Sequence, residues 1–237
     1  MEKNPRQFWI SKTYNRAQGH GITLSNKFHQ IADKRVCIVS SYISKPLLID
    51  GLKFDLRIYV AVTSVLPLKI YVYEEGLTRF ATQPYSPPES QMTTDGRFTH
   101  LTNYSINKLN KDQNQQTKWS FEQLRNVMRN NKIDDKAIFH KIHDIIIKTF
   151  ISNNSNMVQA HTQFVPNRNN CFQLFGFDVL IDENLQPWLM EVNLSPSLKC
   201  DSLLDHKIKS HLIADLLTLV DMGTRPQGQA YRDETEN

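Results

Sequence analysis

The chain lacks any apolar run of membrane-spanning length, and its opening, MEKNPRQFWI, has no signal-peptide core. The expectation is a soluble, cytoplasmic chain with no membrane partner. Cysteine is scarce: Cys37, Cys171 and Cys200 are odd in number and show neither C-x-x-C nor His-rich spacing. That excludes a disulfide framework and predicts reduced thiols without a zinc site. Strong charge of either sign is missing, and a net charge of +4 is too mild to argue for nucleic acid. His20, His100, His140 and His143 stand in no triad-like arrangement with a Ser or Cys, so nucleophilic catalysis by a side chain is not expected. Glycine is sparse, with 8 residues in 237, which makes the Gly19-His20-Gly21 cluster conspicuous. No G-K-[ST] follows it, so it is not a Walker loop, and an ordinary hairpin turn is the simpler reading.

Apolar content is 40%, enough for one large core or two modest lobes. The first 37 residues hold seven Lys or Arg against Glu2 and Asp33, a basic rim that suits an acidic partner or simply a solvated face. Short strands are predicted at 8–11 and 22–25, and a buried strand at 36–43. A long strand runs from Lys53 to Val65, then 68–73, a turn at Glu75-Gly76 and a short strand at 77–81. Residues 82–98 read as a loop, HLTNY (100–104) as a polar strand end, and 107–118 as mobile. Helices are predicted at 119–130 and 134–151, the second capped by Asp134 or Asp135, with Ile138, Ile142, Ile145 and Ile146 on one face. A hairpin at 172–195 and a closing helix at 203–221 follow, then a polar tail, 222–237, expected to be disordered. Without strict β-α alternation, the fold class is α+β.

The hairpin carries the most chemistry. If Ile181 pairs with Trp188 across the Asp182-Glu183-Asn184 turn, Asp178 faces Glu191 and Gly176 faces Asn193. Cross-strand partners share a face, which gathers two carboxylates and an amide oxygen. Carboxylates this close repel unless a cation lies between them, and an oxygen-only set suits Mg²⁺. Gly176 would leave room for a ligand.

A second pattern lies in KFDLRIYV. Lys53, Asp55 and Arg57 alternate on one strand face, with Phe54, Leu56 and Ile58 on the other. Cation, anion, cation can hold phosphate and ribose, or can form a surface ion ladder of little energetic weight. Arg79 is a lone cation in an apolar strand and needs a partner.

Together WISK (9–12), QGHGI (18–22), SYISKPLLIDGLKFDLRIYV (41–60), YEEGLTRFAT (73–82), HLTNYSINK (100–108) and FGFDVLIDENLQPWLMEVNLSPSL (175–198) resemble the tubulin tyrosine ligase-like family of ATP-grasp enzymes. The resemblance covers roughly residues 8–221 and is nearest the glutamate-adding members. It implies an ATP-grasp fold that holds ATP between two lobes. It places Lys12, Gln18 and Gly19 at the phosphates, and Ser40, Ser41, Tyr42 and Ile43 beside adenine. Lys53, Phe54 and Asp55 would hold the nucleotide, with Thr102 and Asn103 lining the same cleft. Arg57 and Arg79 would face the transferring phosphate, and Asp178, Glu191 and Asn193 would bind Mg²⁺. Tyr104, Ser105 and Lys118 would hold the incoming amino acid. The implied partners are free glutamate, acidic tubulin C-terminal tails and microtubules, and the implied location is the cytoskeleton, including cilium or basal body.

The sequence departs from the family pattern at Thr13 (usually Pro), Gln18 (usually Arg in glutamate-adding members) and Ser41 (usually Arg or Lys). The family's N-terminal lobe is expected to be absent, since the chain opens almost at the first catalytic strand. Two other readings stay open: a non-catalytic tubulin- or nucleotide-binding relative or fragment, and a ligase for another amino acid or acceptor.

Overall fold

The computed structural model describes residues 7–13, 22–27, 31, 37–88, 99–100, 102, 117–165 and 171–221. In chain order these form β1 (Trp9–Thr13), β2 (Ile22–Ser25), β3 (Cys37–Ser41), β4 (Leu48–Ile49), β5 (Leu52–Val65), β6 (Leu68–Phe80) and β7 (Lys118–Ser120). There follow α1 (Phe121–Asn130), α2 (Asp135–Phe164), β8 (Gln173–Ile181), β9 (Pro187–Leu194) and α3 (Leu203–Leu219). The small sheet has the order β2-β1-β3, and the large one β7-β6-β5-β8-β9 with β4 beside β5. Strand pairings among the described residues are antiparallel, in keeping with the α+β expectation.

β5 organises the large sheet. Phe54, Leu56, Ile58, Val60 and Val62 alternate onto one face and join Phe177, Val179 and Ile181 in the main core. Leu124 and Met128 of α1 and Ile138, Ile142, Ile146 and Phe150 of α2 cover that face. Burying each such side chain contributes about 1.5–3 kcal/mol. On the opposite face, Tyr59, Ala61, Leu77 and Leu174 pack under Ile208, Leu212 and Leu216 of α3. Lys53, Asp55 and Arg57 share this second face, ahead of the helix's apolar cover.

Several expectations change. Strand 36–43 was expected to be buried, but β3 is the edge of the small sheet, with Ile38 70% exposed; only Tyr42 beyond it turns inward. Glu75-Gly76 is not a turn, because β6 continues through it and takes up extra residues opposite Ile58–Val60. A Cβ on Gly76 would collide with the Phe121 ring and the Arg57 carbonyl, so glycine here lets α1 sit down on β6. Glu75 caps that helix, accepting from the Phe121 and Glu122 amides at 3.1 and 3.2 Å. α2 runs to Phe164, well past 151, since neither Gly nor Pro occurs before Pro166. Of its two N-cap candidates, Asp134 is the cap, accepting from the Ala137 amide. Thr99 and His100 are helical rather than a strand end. Lys118, at the end of the expected mobile segment, opens β7, while residues 107–116 and the tail 222–237 lie outside the described residues.

Candidate active site

The β8–β9 register puts Asp178 opposite Glu191 and Gly176 opposite Asn193, as the sequence predicts, but by a different route. Ile181 pairs with Pro187, not Trp188, and a bulge between Asp178 and Val179 restores the expected pairing at the site. The neighbouring registers extend the row. Arg57 of β5 stands opposite Asp178, and Asp55 opposite Arg79, which stands opposite Lys118. A charged ladder therefore crosses one face of the large sheet from β7 to β9.

Its members are locked together. Arg57 donates to both Asp178 oxygens, Nε to Oδ1 at 2.6 Å and Nη2 to Oδ2 at 3.1 Å. Arg79 donates Nε to Asp55 Oδ1 at 2.8 Å, pairs through Nη2 with Asp55 Oδ2, and lies 2.9 Å from Asp178 Oδ2. The partner that Arg79 needs is thus a pair of aspartates. Burial opposes the Arg79 charge, but Asp55 and Asp178 outweigh it and hold the guanidinium above its ordinary value. Burial likewise opposes charge on Asp178, and the two arginines outweigh it, keeping the carboxyl below its usual range. Lys12 reaches across from the small sheet to within 3.8 Å of Glu191 Oε2.

A second node sits at Lys53, buried on the same face. Its ammonium donates to the Tyr42 hydroxyl at 3.1 Å and the His100 carbonyl at 2.9 Å, and lies 4.8 Å from the Tyr42 ring centre. Burial, only partly offset by Asp55, lowers Lys53 to about 8. Burial and the nearby Lys53 charge lower His100 to about 4, so its ring is neutral at pH 7. Burial, then Tyr85, raises the Tyr42 hydroxyl. Tyr42 and Lys53 were anticipated; His100 was not, because nothing in HLTNY marks which of its residues turns inward.

Asp178 and Glu191 already have cations near them in Arg57, Arg79 and Lys12, so repulsion alone does not demand Mg²⁺. The donor set still fits a hard cation. Asn193 directs its amide nitrogen to the Gly176 carbonyl at 3.3 Å and to Glu191 Oε1 at 3.1 Å, leaving its oxygen without a donor among the described residues. Glu191 is well exposed beside it. Among the described residues no three His, Cys, Asp or Glu are grouped so that they could hold a metal ion, so a metal here would rely on two carboxylates and an amide. Gly176 does not leave open space as expected: a Cβ there would meet Pro196 at 2.8 Å and Arg57 Cδ at 3.3 Å. Its role is to let Arg57 lie flat against β8.

Other expected residues divide plainly. Phe54 does not join the ligand face: its side chain is 1% exposed in the core and packs on Phe80. Ser40 and Ser41 are exposed on β3, Ile43 is half-buried and Thr102 is buried. Gln18, Gly19, Asn103, Tyr104 and Ser105 lie outside the described residues. Lys118 pairs with Asp205 of α3 at 2.5 Å, and Lys209 approaches the other Asp205 oxygen at 3.0 Å. Sequence reasoning missed Asp205. Ser202-x-x-Asp205 does signal a helix start, but not a carboxylate turned inward.

The described residues form a mixed α/β domain in which buried cations of the large sheet adjoin the oxygen-bearing side chains of the β8–β9 hairpin. Residues 1–228 match the model of the Tubulin-tyrosine ligase family. The chain belongs to that family. A Mus musculus protein described as Tubulin polyglutamylase TTLL5 is 46% identical over 221 residues, 90% of this chain and 16% of that protein. Tubulin monoglutamylase TTLL4 of Mus musculus is 44% identical over 226 residues, 92% of this chain and 19% of that protein. Tubulin polyglutamylase TTLL6 of Mus musculus is 40% identical over 235 residues, 96% of this chain and 28% of that protein. The chain thus spans less than a third of the length of each of these relatives.

Proposed function

We propose that the chain is an ATP-dependent tubulin glutamate ligase, joining free glutamate to a glutamate side chain in an acidic tubulin tail. The observation that carries this reading is the ladder of Arg79, Asp55, Arg57, Asp178 and Glu191 on one sheet face, closed from the other sheet by Lys12. The names of the relatives support the choice of tubulin and glutamate.

In this reading the fold is an ATP-grasp, with nucleotide between the small and large sheets. Ser40 to Ile43 lie along adenine, Lys53 and Asp55 hold phosphate and ribose, and Lys12 with Gln18 and Gly19 meets the outer phosphates. Asp178, Glu191 and Asn193 hold Mg²⁺, which when bound draws charge from the phosphate oxygens. Arg57 and Arg79, fixed by their aspartates, present guanidinium to the phosphoryl group in flight.

A carboxylate resists attack by an amine until its oxygen becomes a leaving group. The acceptor carboxylate oxygen attacks the γ-phosphorus, the bond to the β-phosphate oxygen breaks, and ADP departs. The amine of free glutamate then attacks the acyl phosphate carbon. Phosphate leaves, a proton is lost from nitrogen, and an isopeptide bond remains. By the family resemblance, Thr102 and Asn103 belong with the nucleotide, and Tyr104, Ser105 and Lys118 with the incoming amino acid. Such an enzyme works on the cytoskeleton, at microtubules.

A second reading, a non-catalytic tubulin- or nucleotide-binding relative, draws on Thr13, Gln18 and Ser41, where the family usually has a proline and two cations. Labelled glutamate, purified tubulin, ATP and Mg²⁺ separate the two, with Glu191→Gln as control. Incorporation that vanishes in the variant is expected. Tubulin binding without incorporation would sink the ligase reading.

A further inference from the structure

β9 stops at Leu194, and the chain folds back over β8. Ser195 makes the turn with φ at +53°, a left-handed backbone that residues with a side chain seldom adopt. Two contacts hold it there: the Ser195 amide donates to the Leu174 carbonyl at 3.2 Å, and Gln173 Nε2 donates to Ser195 Oγ at 3.2 Å. Pro196 follows, buried between the exposed Ser195 and Ser197. It comes down over Gly176. A Cβ on Gly176 would lie 2.8 Å from Pro196 Cβ, 3.3 Å from Arg57 Cδ and 3.4 Å from Arg57 Nε. Pro196 and Arg57 thus fill one hollow, floored by the bare Cα of Gly176, on the sheet face that carries Asp178 and Asn193. Asp178 grips one edge of the Arg57 guanidinium, through Nε and Nη2, and Nη1 has no hydrogen-bond partner among the described residues.

We propose that Pro196 is a positioning residue for Arg57: seated over Gly176 by the left-handed turn at Ser195, it walls the Cδ–Nε stem, so that the guanidinium keeps its unpaired edge toward the phosphoryl group. The proposal rests on the ligase reading above, in which Arg57 meets that group in flight. A carboxylate fixes one edge of a guanidinium but not the tilt of the apolar stem behind it, and a stem is held by packing. Proline suits that task. Its ring has no side-chain freedom to lose and its φ is locked, so the wall is rigid at little entropic cost. The uncommon backbone at Ser195 is what aims the ring back at β8 rather than onward along β9.

A merely structural proline, closing the end of the hairpin, would lower stability and disturb binding and turnover together. The positioning role predicts a split, read from steady-state glutamate incorporation into tubulin by the whole chain. In Pro196→Gly, kcat falls about ten- to a hundredfold, as for a reacting group misplaced by about 1 Å, while KM for ATP and for glutamate stays within about twofold. Pro196→Ala, which keeps the Cβ and loses the ring, falls less, and carries the test should the glycine variant not fold. Gly176→Ala lowers kcat too, because its methyl group pushes Pro196 and Arg57 out of the shared hollow. In the double variant Gly176→Ala with Pro196→Gly, the new methyl group takes the space that the proline leaves, so kcat recovers above that of Gly176→Ala alone. Unchanged kcat in the Pro196 variants, KM values that rise with the loss of kcat, or a double variant no better than Gly176→Ala would each overturn the proposal and leave the ligase reading standing. A second readout needs no turnover: hydrogen exchange of the Arg57 Nε–H, assigned by its absence in Arg57→Lys. Exchange at least about tenfold faster in Pro196→Gly is expected, and an unchanged rate would overturn the proposal. A wild-type chain that incorporates no glutamate would overturn the ligase reading, and the exchange rates would then decide by themselves whether Pro196 holds Arg57.

Discussion

Lys53 is pulled two ways. Burial among Tyr42, His100 and the sheet disfavours its charge, while Asp55 favours it, and burial prevails to bring the ammonium to about 8. The unfolded chain keeps this proton up to the ordinary value of 10.5. Between those two values the unfolded state binds more protons, so this residue makes the fold more stable as pH rises. The phosphate binding proposed for Lys53 runs the other way, because it needs the charged form. The expected outcome is nucleotide affinity that falls by up to about tenfold per unit above pH 8, with Lys53→Met removing the dependence. Isothermal titration from pH 7 to 10 measures it, and a flat wild-type profile would remove Lys53 from the phosphates. The sequence places this lysine on the right strand face but cannot disclose its shift. Alternation is local, whereas the neighbours that bury the ammonium, Tyr42 and His100, stand 11 and 47 residues away along the chain.

Among the elements, β5 and the hairpin were the most legible, since apolar alternation and a polar turn fix both face and neighbour. β6 was misread because Glu75-Gly76 has turn chemistry, and tertiary contact decided otherwise: the glycine serves the Phe121 ring and the glutamate serves the α1 amides. This carries a prediction. Gly76→Ala puts a methyl group into the Phe121 ring and the Arg57 carbonyl, both rigidly placed, so α1 must lift from β6. A loss of about 1–3 kcal/mol is expected in urea denaturation, the usual range for overpacking a filled core. Since the Arg57 backbone lies beneath, turnover should fall as well. An alanine variant as stable as the parent would mean that α1 is free to shift. α2 outran its expected length for a simpler reason: buried positions end at Phe150, but nothing in the following residues stops a helix.

At the scale of the whole molecule, Lys12 and the Tyr42–Lys53–His100 node join the small sheet to the large one. A ligand lodged between the sheets should therefore stabilise both. A non-hydrolysable ATP analogue with Mg²⁺ at a hundredfold over its Kd should add about 2.7 kcal/mol to the unfolding free energy. Chelation should remove most of that gain, and Glu191→Gln should make the gain indifferent to the metal. Scanning calorimetry checks it; an equal gain with and without Mg²⁺ in the parent would detach the metal from Glu191. The bulge in the hairpin has a further consequence. Without it, Glu191 would stand opposite Phe177 and Asn193 opposite Phe175, sending both polar groups toward the helices and Met190 and Val192 into the cleft. The site thus depends on the parity of a residue count. Hairpins of this lineage can lengthen or shorten between Ile181 and Glu191 by two residues with little effect on the cleft, whereas a change of one, unless a bulge is gained or lost with it, inverts the strand and exchanges ligands for core.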